Sequence, residues 1–289
     1  MMRKIHGNER KLLPPRFCKA CSASGLFFSS ANYLYFRPHP ALAPYIAHYT
    51  LCPPGFAEPR PLTLIPDASG CFVFAFTRQQ IIGHFWGPTT QTAVVKHDYA
   101  QFPYRFFIEF LPGGAHRLTG FPLHECVNLR IPLEQLHTPL VSSLYQALFQ
   151  AKSMEDLLGR VNALFCNALS LREENPLARA CLSLLQHTNG QLPAHTAGEI
   201  LHYSPRHLSR VLRSMLGFSL QQYLRLQRIN RALSVLETPA ESFSFTALAQ
   251  SLGYYDQSHF IHDFKSVCST TPTGYLQNMS DFYKETYKF

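Results

Sequence analysis

Between Tyr33 and about Leu136, apolar residues come in short runs separated by Pro and Gly breaks, at 63–65, 71–76, 92–95 and 104–111. Short runs of β-formers bounded by turn residues read as strands. Phe106, Phe107 and Phe110 could line a core, and Pro112-Gly113-Gly114 supplies the permissive backbone for a sharp turn. A small barrel or sandwich over 31–138 is the simplest architecture. From Pro139 the period becomes helical. Ser153 is placed to cap a helix with Asp156 three residues on, and Leu157, Leu158, Val161, Leu164, Phe165, Ala168 and Leu169 share one face. That stripe suits a core, or pairing with a second chain in a homodimer. Glu173, Glu174, Asn175 and Pro176 stop the pattern, so 139–176 reads as a helical linker and 177–289 as an all-α domain.

The all-α part nearly repeats itself. An offset of 52 superposes Tyr203 on Tyr255, His207 on His259, Leu208 on Phe260, Leu212 on Phe264, Arg213 on Lys265 and Tyr223 on Tyr275. Two copies suit a tandem of small units rather than a solenoid. In the first copy, 197–201 forms a supporting helix, His202 and Tyr203 turn, Ser204 caps, and Pro205 takes the first helical position. Leu208, Val211 and Leu212 then face inward, leaving Arg206, Ser209 and Arg210 on the opposite face. Those positions, near the N-terminus of the second helix, are the ones a helix-turn-helix presents to base edges. Arg suits the guanine N7/O6 pair.

In the second copy 248–252 supports, Gly253 turns, and Asp256 or Ser258 caps. Phe260 and Phe264 anchor the next helix, and Gln257, Ser258, His259 and His262 are exposed. Gln can read adenine bidentately, whereas a neutral His grips phosphate weakly. Lys265, the repeat partner of Arg213, completes the DNA-binding set. Between the copies Ser219 caps a helix running to about Glu237, roughly 28 Å long. A strut of that length can set two reading helices about one DNA turn, ~34 Å, apart. Arg225, Arg228 and Arg231 lie on its polar side, open to solvent or to phosphate.

Charge is unevenly spread: residues 1–30 carry six Lys/Arg against one acid, 31–176 ten against ten, and 177–289 ten against seven. A neutral middle leaves polyanion binding to the ends. Residues 1–30 lack periodicity and read as a disordered basic tail. Eight scattered cysteines give no disulfide framework and point to a reducing cytoplasm. Cys18 and Cys21 have no second Cys/His pair at zinc-finger spacing, so no metal is expected there. No apolar run reaches the ~18 residues of a membrane span, and none resembles a signal-peptide core.

These residues resemble the AraC/XylS family of bacterial transcription regulators over 177–278. The most specific part is the second-unit signature: Leu248-Ala249, then Gly253-Tyr254-Tyr255-Asp256-Gln257-Ser258-His259-Phe260, Phe264-Lys265, Pro272 and Tyr275. The first unit adds Ser204-Pro205-Arg206-His207-Leu208-Ser209-Arg210, Gly217 and Tyr223. The resemblance implies base-facing roles for Arg206, Ser209 and Arg210, and for Gln257, Ser258 and His262. It also implies double-stranded DNA and RNA polymerase as partners, and activation as the sense of regulation. Gly198 and His202 depart from the usual Ala and Gly, His262 from a frequent Arg, Ser269 from Gly, and Leu276 from Arg. The first half is similar to a less-studied sensor-like domain of some members. The similarity rests on Pro40-Ala41-Leu42-Ala43-Pro44-Tyr45-Ile46, Leu64-Ile65-Pro66-Asp67, Gly87-Pro88, Phe110-Leu111-Pro112-Gly113-Gly114 and Leu118-Thr119-Gly120. It implies a small-molecule effector or a partner, without identifying either.

The competing reading is a metal-dependent β-barrel enzyme fused to a DNA-binding module. His39, His48, His84 and His97 are its available imidazoles, but they lack the tight His-x-His grouping with a downstream Glu. No catalytic triad, phosphate loop or dinucleotide fingerprint is visible. The expectation is therefore an α+β protein of two domains, with no enzymatic site, no metal and no cofactor: a β-rich sensor or assembly domain, and two helix-turn-helix units joined by a long helix.

Overall fold

The computed structural model describes residues 24–29, 33–53, 61–77, 79–96, 101–188, 190–237, 243–279 and 282–283. In the first half, strands β1 (Leu26–Ser29), β2 (Leu34–Phe36), β3 (Ile46–Cys52), β4 (Leu62–Leu64), β5 (Cys71–Phe76), β6 (Ile81–Trp86), β7 (Ala93–Val95), β8 (Tyr104–Phe110) and β9 (Arg130–Pro132) form two sheets. The larger is a seven-stranded antiparallel sheet in the order β1-β2-β3-β8-β5-β6-β9. The smaller joins β4 and β7 to β10 (Phe282–Tyr283), contributed from the far end of the chain. The arrangement is an open sandwich rather than a closed barrel, with β1 and β9 as the edges of the larger sheet.

Strand alternation sorts the larger sheet into two unlike faces. One carries Tyr49, Leu51, Phe72, Phe74, Phe76, Phe106, Ile108 and Phe110, all fully buried. It packs against helices α2 (Pro139–Gln150) and α3 (Met154–Ser170), which follow a short helix α1 (Gly114–Thr119). Phe110 meets Phe72 at 5.2 Å and Phe165 of α3 at 6.1 Å, both edge to face. Each such ring contributes about 1.5–3 kcal/mol by burial. Phe107, expected in this core beside Phe106, alternates to the opposite face and lines a cavity instead.

Two sequence expectations need correcting. Residues 139–170 are not a linker: Val141, Leu144, Leu157, Val161 and Phe165 belong to the first domain's core, because the apolar stripe of α3 has a phenylalanine-rich sheet to cover. That stripe is therefore core rather than a surface left for a second chain. The basic tail, drawn to residue 30, ends too late. Residues 26–29 pair with β2, and Phe27 and Phe28 contact the Tyr35 ring at 6.4 and 5.7 Å. Residues 1–23 of that tail, including Cys18 and Cys21, lie outside the described residues, as does His97.

The second half holds α4 (Pro176–His187), α5 (Ala194–Leu201), α6 (Pro205–Leu216), α7 (Leu220–Glu237), α8 (Phe245–Ser251), α9 (Gln257–Cys268) and α10 (Pro272–Gln277) around a second core. Its N-caps are legible in sequence: Asn175, Ser204, Ser244, Asp256 and Thr271 each accept a backbone N–H two or three residues into their helix. Ile65 and Ala68, from the β4–β5 loop of the first domain, are buried in this second core. The Thr92 N–H donates to the Val267 carbonyl of α9 at 3.3 Å, and its hydroxyl to Ser269 at 3.0 Å. The two halves are thus joined by side chains and backbone, not by a tether alone. No helix among the described residues is long and apolar enough to cross a membrane.

Candidate nucleic-acid interface

The first reading unit is α5, a turn, and α6. The turn depends on His202, whose backbone is left-handed at φ 59°, ψ 34°, a conformation that favours Gly. Gly198 sits where α5 and α6 approach: a Cβ there would lie 2.6 Å from the Tyr203 carbonyl oxygen. Ser204 accepts the His207 N–H at 3.3 Å and Pro205 opens α6. Leu208, Leu212 and Leu216 are buried, whereas Val211, expected with them, is half-buried.

On the outer side Arg206 and Arg210 are exposed, and Arg213, three residues further on, joins them in one open groove. Spacings of four and three residues on a helix put all three on one face. Arg213 follows the helical periodicity of Arg206 and Arg210, although in sequence it stood out only as the repeat partner of Lys265. A guanidinium N–H of Arg210 donates to His207 Nδ1 at 3.2 Å, which presets the side chain along the helix. Ser209 is half-buried, and its hydroxyl accepts the Leu220 N–H at 3.2 Å, tying α6 to the start of α7. The groove is bordered from the first domain by Thr90, His124 and Val127. Gly217, left-handed at φ 83°, ends α6 where a Cβ would meet Val127 Cγ2 at 2.6 Å. The outer face of α6 therefore lies beside the first domain and is open.

The second unit is α8, the turn at Gly253, and α9. Asp256 is the cap, accepting the His259 N–H at 2.7 Å, and Phe260 and Phe264 are fully buried. Ser258, His259, His262 and Lys265 are exposed. Gln257 is half-buried, with its carbonyl accepting the Thr246 hydroxyl at 2.8 Å. Tyr255, just before the cap, is 93% exposed and had no assigned role.

Between the units, two of the three arginines on α7, exposed Arg225 and half-buried Arg228, are turned toward one carboxylate. Arg225 Nε lies 3.2 Å from Asp263 Oδ1, and an Arg228 nitrogen 3.9 Å from Oδ2. Arg228 also sits 4.9 Å above the Tyr254 ring. The Asp263 side chain is 3% exposed, and His262 approaches it at 3.8 Å. This buried carboxylate, on the inner side of the second reading helix, anchors α9 to the strut. Sequence reading passed over it because its arginine partners, Arg225 and Arg228, stand on another helix and far away in sequence. Arg231 is exposed.

In the first domain a cavity of about 330 Å³ lies between the two sheets. The histidines of the enzyme reading are dispersed. His39 Nδ1 accepts the Ala41 N–H beside α3, while His48 and His84 sit on the cavity face three strands apart. Among the described residues no three His, Cys, Asp or Glu side chains come together as a metal-holding group.

Residues 198–278 match the family model described as a helix-turn-helix domain, and 35–132 match a domain of unknown function, DUF6597. An uncharacterized HTH-type transcriptional regulator of Bacillus subtilis (strain 168), YtdP, is 26% identical over 143 residues, 46% of this chain and 18% of that relative's length. Among solved structures, the C-terminal domain of AraT, a response regulator from Geobacillus stearothermophilus, is 25% identical. That alignment covers 40% of this chain and 93% of AraT's at a TM-score of 0.34. ToxT from Vibrio cholerae O395 is 14% identical, covering 85% of this chain and 96% of its own at 0.37. Two capped helix-turn-helix units on one strut fall within residues 198–278, which match the helix-turn-helix domain model, and they carry in order the residues by which the chain resembles AraC/XylS regulators.

Proposed function

We propose that the chain reads one operator by laying α6 and α9 in successive major grooves of a single duplex, under the control of an effector held in the first domain. The observation that carries this reading is the face of α6. Arg206, Arg210 and Arg213 line one open groove while Leu208, Leu212 and Leu216 on the opposite side are buried. Arg206 and Arg210, in the first half of the helix, are suited to guanine edges, and Arg213, in its last turn, to a flanking phosphate. The α9 face offers Ser258, His259, His262 and Lys265, a single fixed cation, so α6 dominates specificity and α9 adds phosphate contact and modest readout. Two units in one chain let a monomer span both half-sites. Activation through contact with RNA polymerase, in the cytoplasm, follows from the family resemblance.

Selection of bound sites from random duplexes tests this reading. The expected motif has two half-sites about one turn apart. Arg210→Ala should lose about 1–3 kcal/mol of preference at one position and leave the others intact. Enrichment of no motif, or an unchanged motif in Arg210→Ala, would refute the assignment.

A further inference from the structure

The repeat sets His207 of α6 against His259 of α9, and Arg210 against His262. The two helices use these positions differently. On α6 the Tyr203 ring lies stacked on the His207 ring, centroids 5.0 Å apart and planes 20° from parallel. His207 Nδ1 then accepts a guanidinium N–H of Arg210 at 3.2 Å. On α9 His259 meets Tyr254 edge to face at 5.2 Å, while His262 leans toward Asp263 at 3.8 Å. The shelf-like stack on α6 is therefore not a by-product of the helix-turn-helix form.

Its base is held by backbone. The Tyr203 N–H donates to the Gly198 carbonyl at 3.0 Å, and the Tyr203 carbonyl lies where a Cβ on Gly198 would be 2.6 Å away. Gly198 thus lets the turn press close to α5, which fixes where the Tyr203 ring starts. The ring itself is 46% exposed, and the packing of α6 is carried by Leu208, Leu212 and Leu216 on the other side. A stability role alone does not account for an aromatic stack left on the outer face. His207 lines the same open groove as Arg206 and Arg210.

The hydrogen bond has a fixed direction. Arginine carries donors and no acceptor, so Nδ1 of His207 is the unprotonated nitrogen and the ring proton sits on Nε2. One of the five guanidinium N–H groups is used, and four remain for a base edge. His207 stands one turn before Arg210, so the bond turns the guanidinium toward the N-terminal end of α6, the end that a helix-turn-helix presents to base edges. An unrestrained arginine samples many rotamers, and ordering it on contact opposes binding.

We propose that Tyr203 and His207 are positioning residues, which hold Arg210 in its reading rotamer before DNA arrives and so sharpen its choice of base. The inference rests on reading α6 as the helix laid in the major groove.

Equilibrium binding of the full chain to four duplexes tests it. The duplexes differ only at the base pair whose preference Arg210→Ala removes. His207→Phe keeps a ring for the stack and loses the acceptor. It should lower the preference at that base pair about three- to tenfold, leave other positions of the operator unchanged, and leave the thermal unfolding transition in place. His207→Gln, which restores an acceptor, should recover part of the loss. Tyr203→Phe should match the wild type, and Tyr203→Ala should fall between the wild type and His207→Phe. In an Arg210→Ala background, His207→Phe should change nothing further.

Undiminished preference in His207→Phe, or an equal loss at every operator position, would overturn the positioning role and leave DNA reading by α6 standing. A further loss in the Arg210→Ala background would do the same, because it would make His207 a DNA contact in its own right. If Arg210→Ala itself removes no preference, α6 is not the reader and both inferences fall.

Discussion

Replacing Asp263 by Asn keeps the size of the side chain and removes its charge, which isolates what the carboxylate does. Arg225 is 46% exposed in its side chain, so screening leaves its pairing worth about 0.5–1 kcal/mol. Arg228 is 24% exposed and is sandwiched between Asp263 and the Tyr254 ring. It would be left with an unneutralised, largely desolvated charge. Loss of one partner from a buried pair costs about 3–5 kcal/mol; the 3.9 Å separation and partial exposure reduce this to about 2–3 kcal/mol. In thermal unfolding of the full chain that is a fall of about 5–10 °C in the transition of the second domain. Arg225→Ala should cost under about 1 kcal/mol, and the double variant less than the sum of the two singles. Because the pair locks α9 to α7, Asp263→Asn should also weaken the second half-site of the operator while leaving the first unchanged. A fall below about 1 °C, or strictly additive singles, would refute the anchoring role. Arg228→Ala follows the same logic: its principal effect is on stability, and a flattened salt dependence of DNA binding without destabilisation would return it to phosphate contact.

His202→Gly should stabilise the chain by about 0.5–1 kcal/mol in chemical denaturation, because the left-handed backbone of the first turn strains any L side chain; a loss of stability would contradict this. A His84 pKa lowered to about 4 means that the unfolded chain takes up a proton there before the folded one does. Stability is therefore unaffected by His84 above about pH 6.5 and declines as pH falls from there toward 4. His84→Gln should flatten that part of the pH–stability curve measured by thermal unfolding, and an identical curve would refute the assignment.

The second domain was largely legible in sequence because its signals are local. Caps such as Ser204 and Asp256, the stop at Gly217 and the 3–4 spacing of Leu208 and Leu212 lie within a few residues of what they control. The strands of the first domain were also legible, but not which face each residue took. Phe107 was read as core because runs of phenylalanine hide the alternation. The linker reading of 139–170 failed for a different reason: nothing local tells whether an apolar stripe faces its own domain or another chain. Long-range contacts were invisible throughout. Asp263 with Arg225 and Arg228, the Ile65–Ala68 plug in the second core, and the Thr92 bonds to α9 all join residues far apart in sequence.

The pairing of β10 with β4 places Phe282 opposite Thr63 and Tyr283 opposite Leu64, in parallel. Chains emerge from the ribosome N-terminus first and fold by units as they appear. The small sheet over the cavity stays one strand short until residues 282–283, well beyond the second helix-turn-helix unit, have been synthesised. A first domain that looks complete by residue 170 would therefore mature only after α9 has been made, so fragments cut between the two halves are poor stand-ins for the two-domain chain.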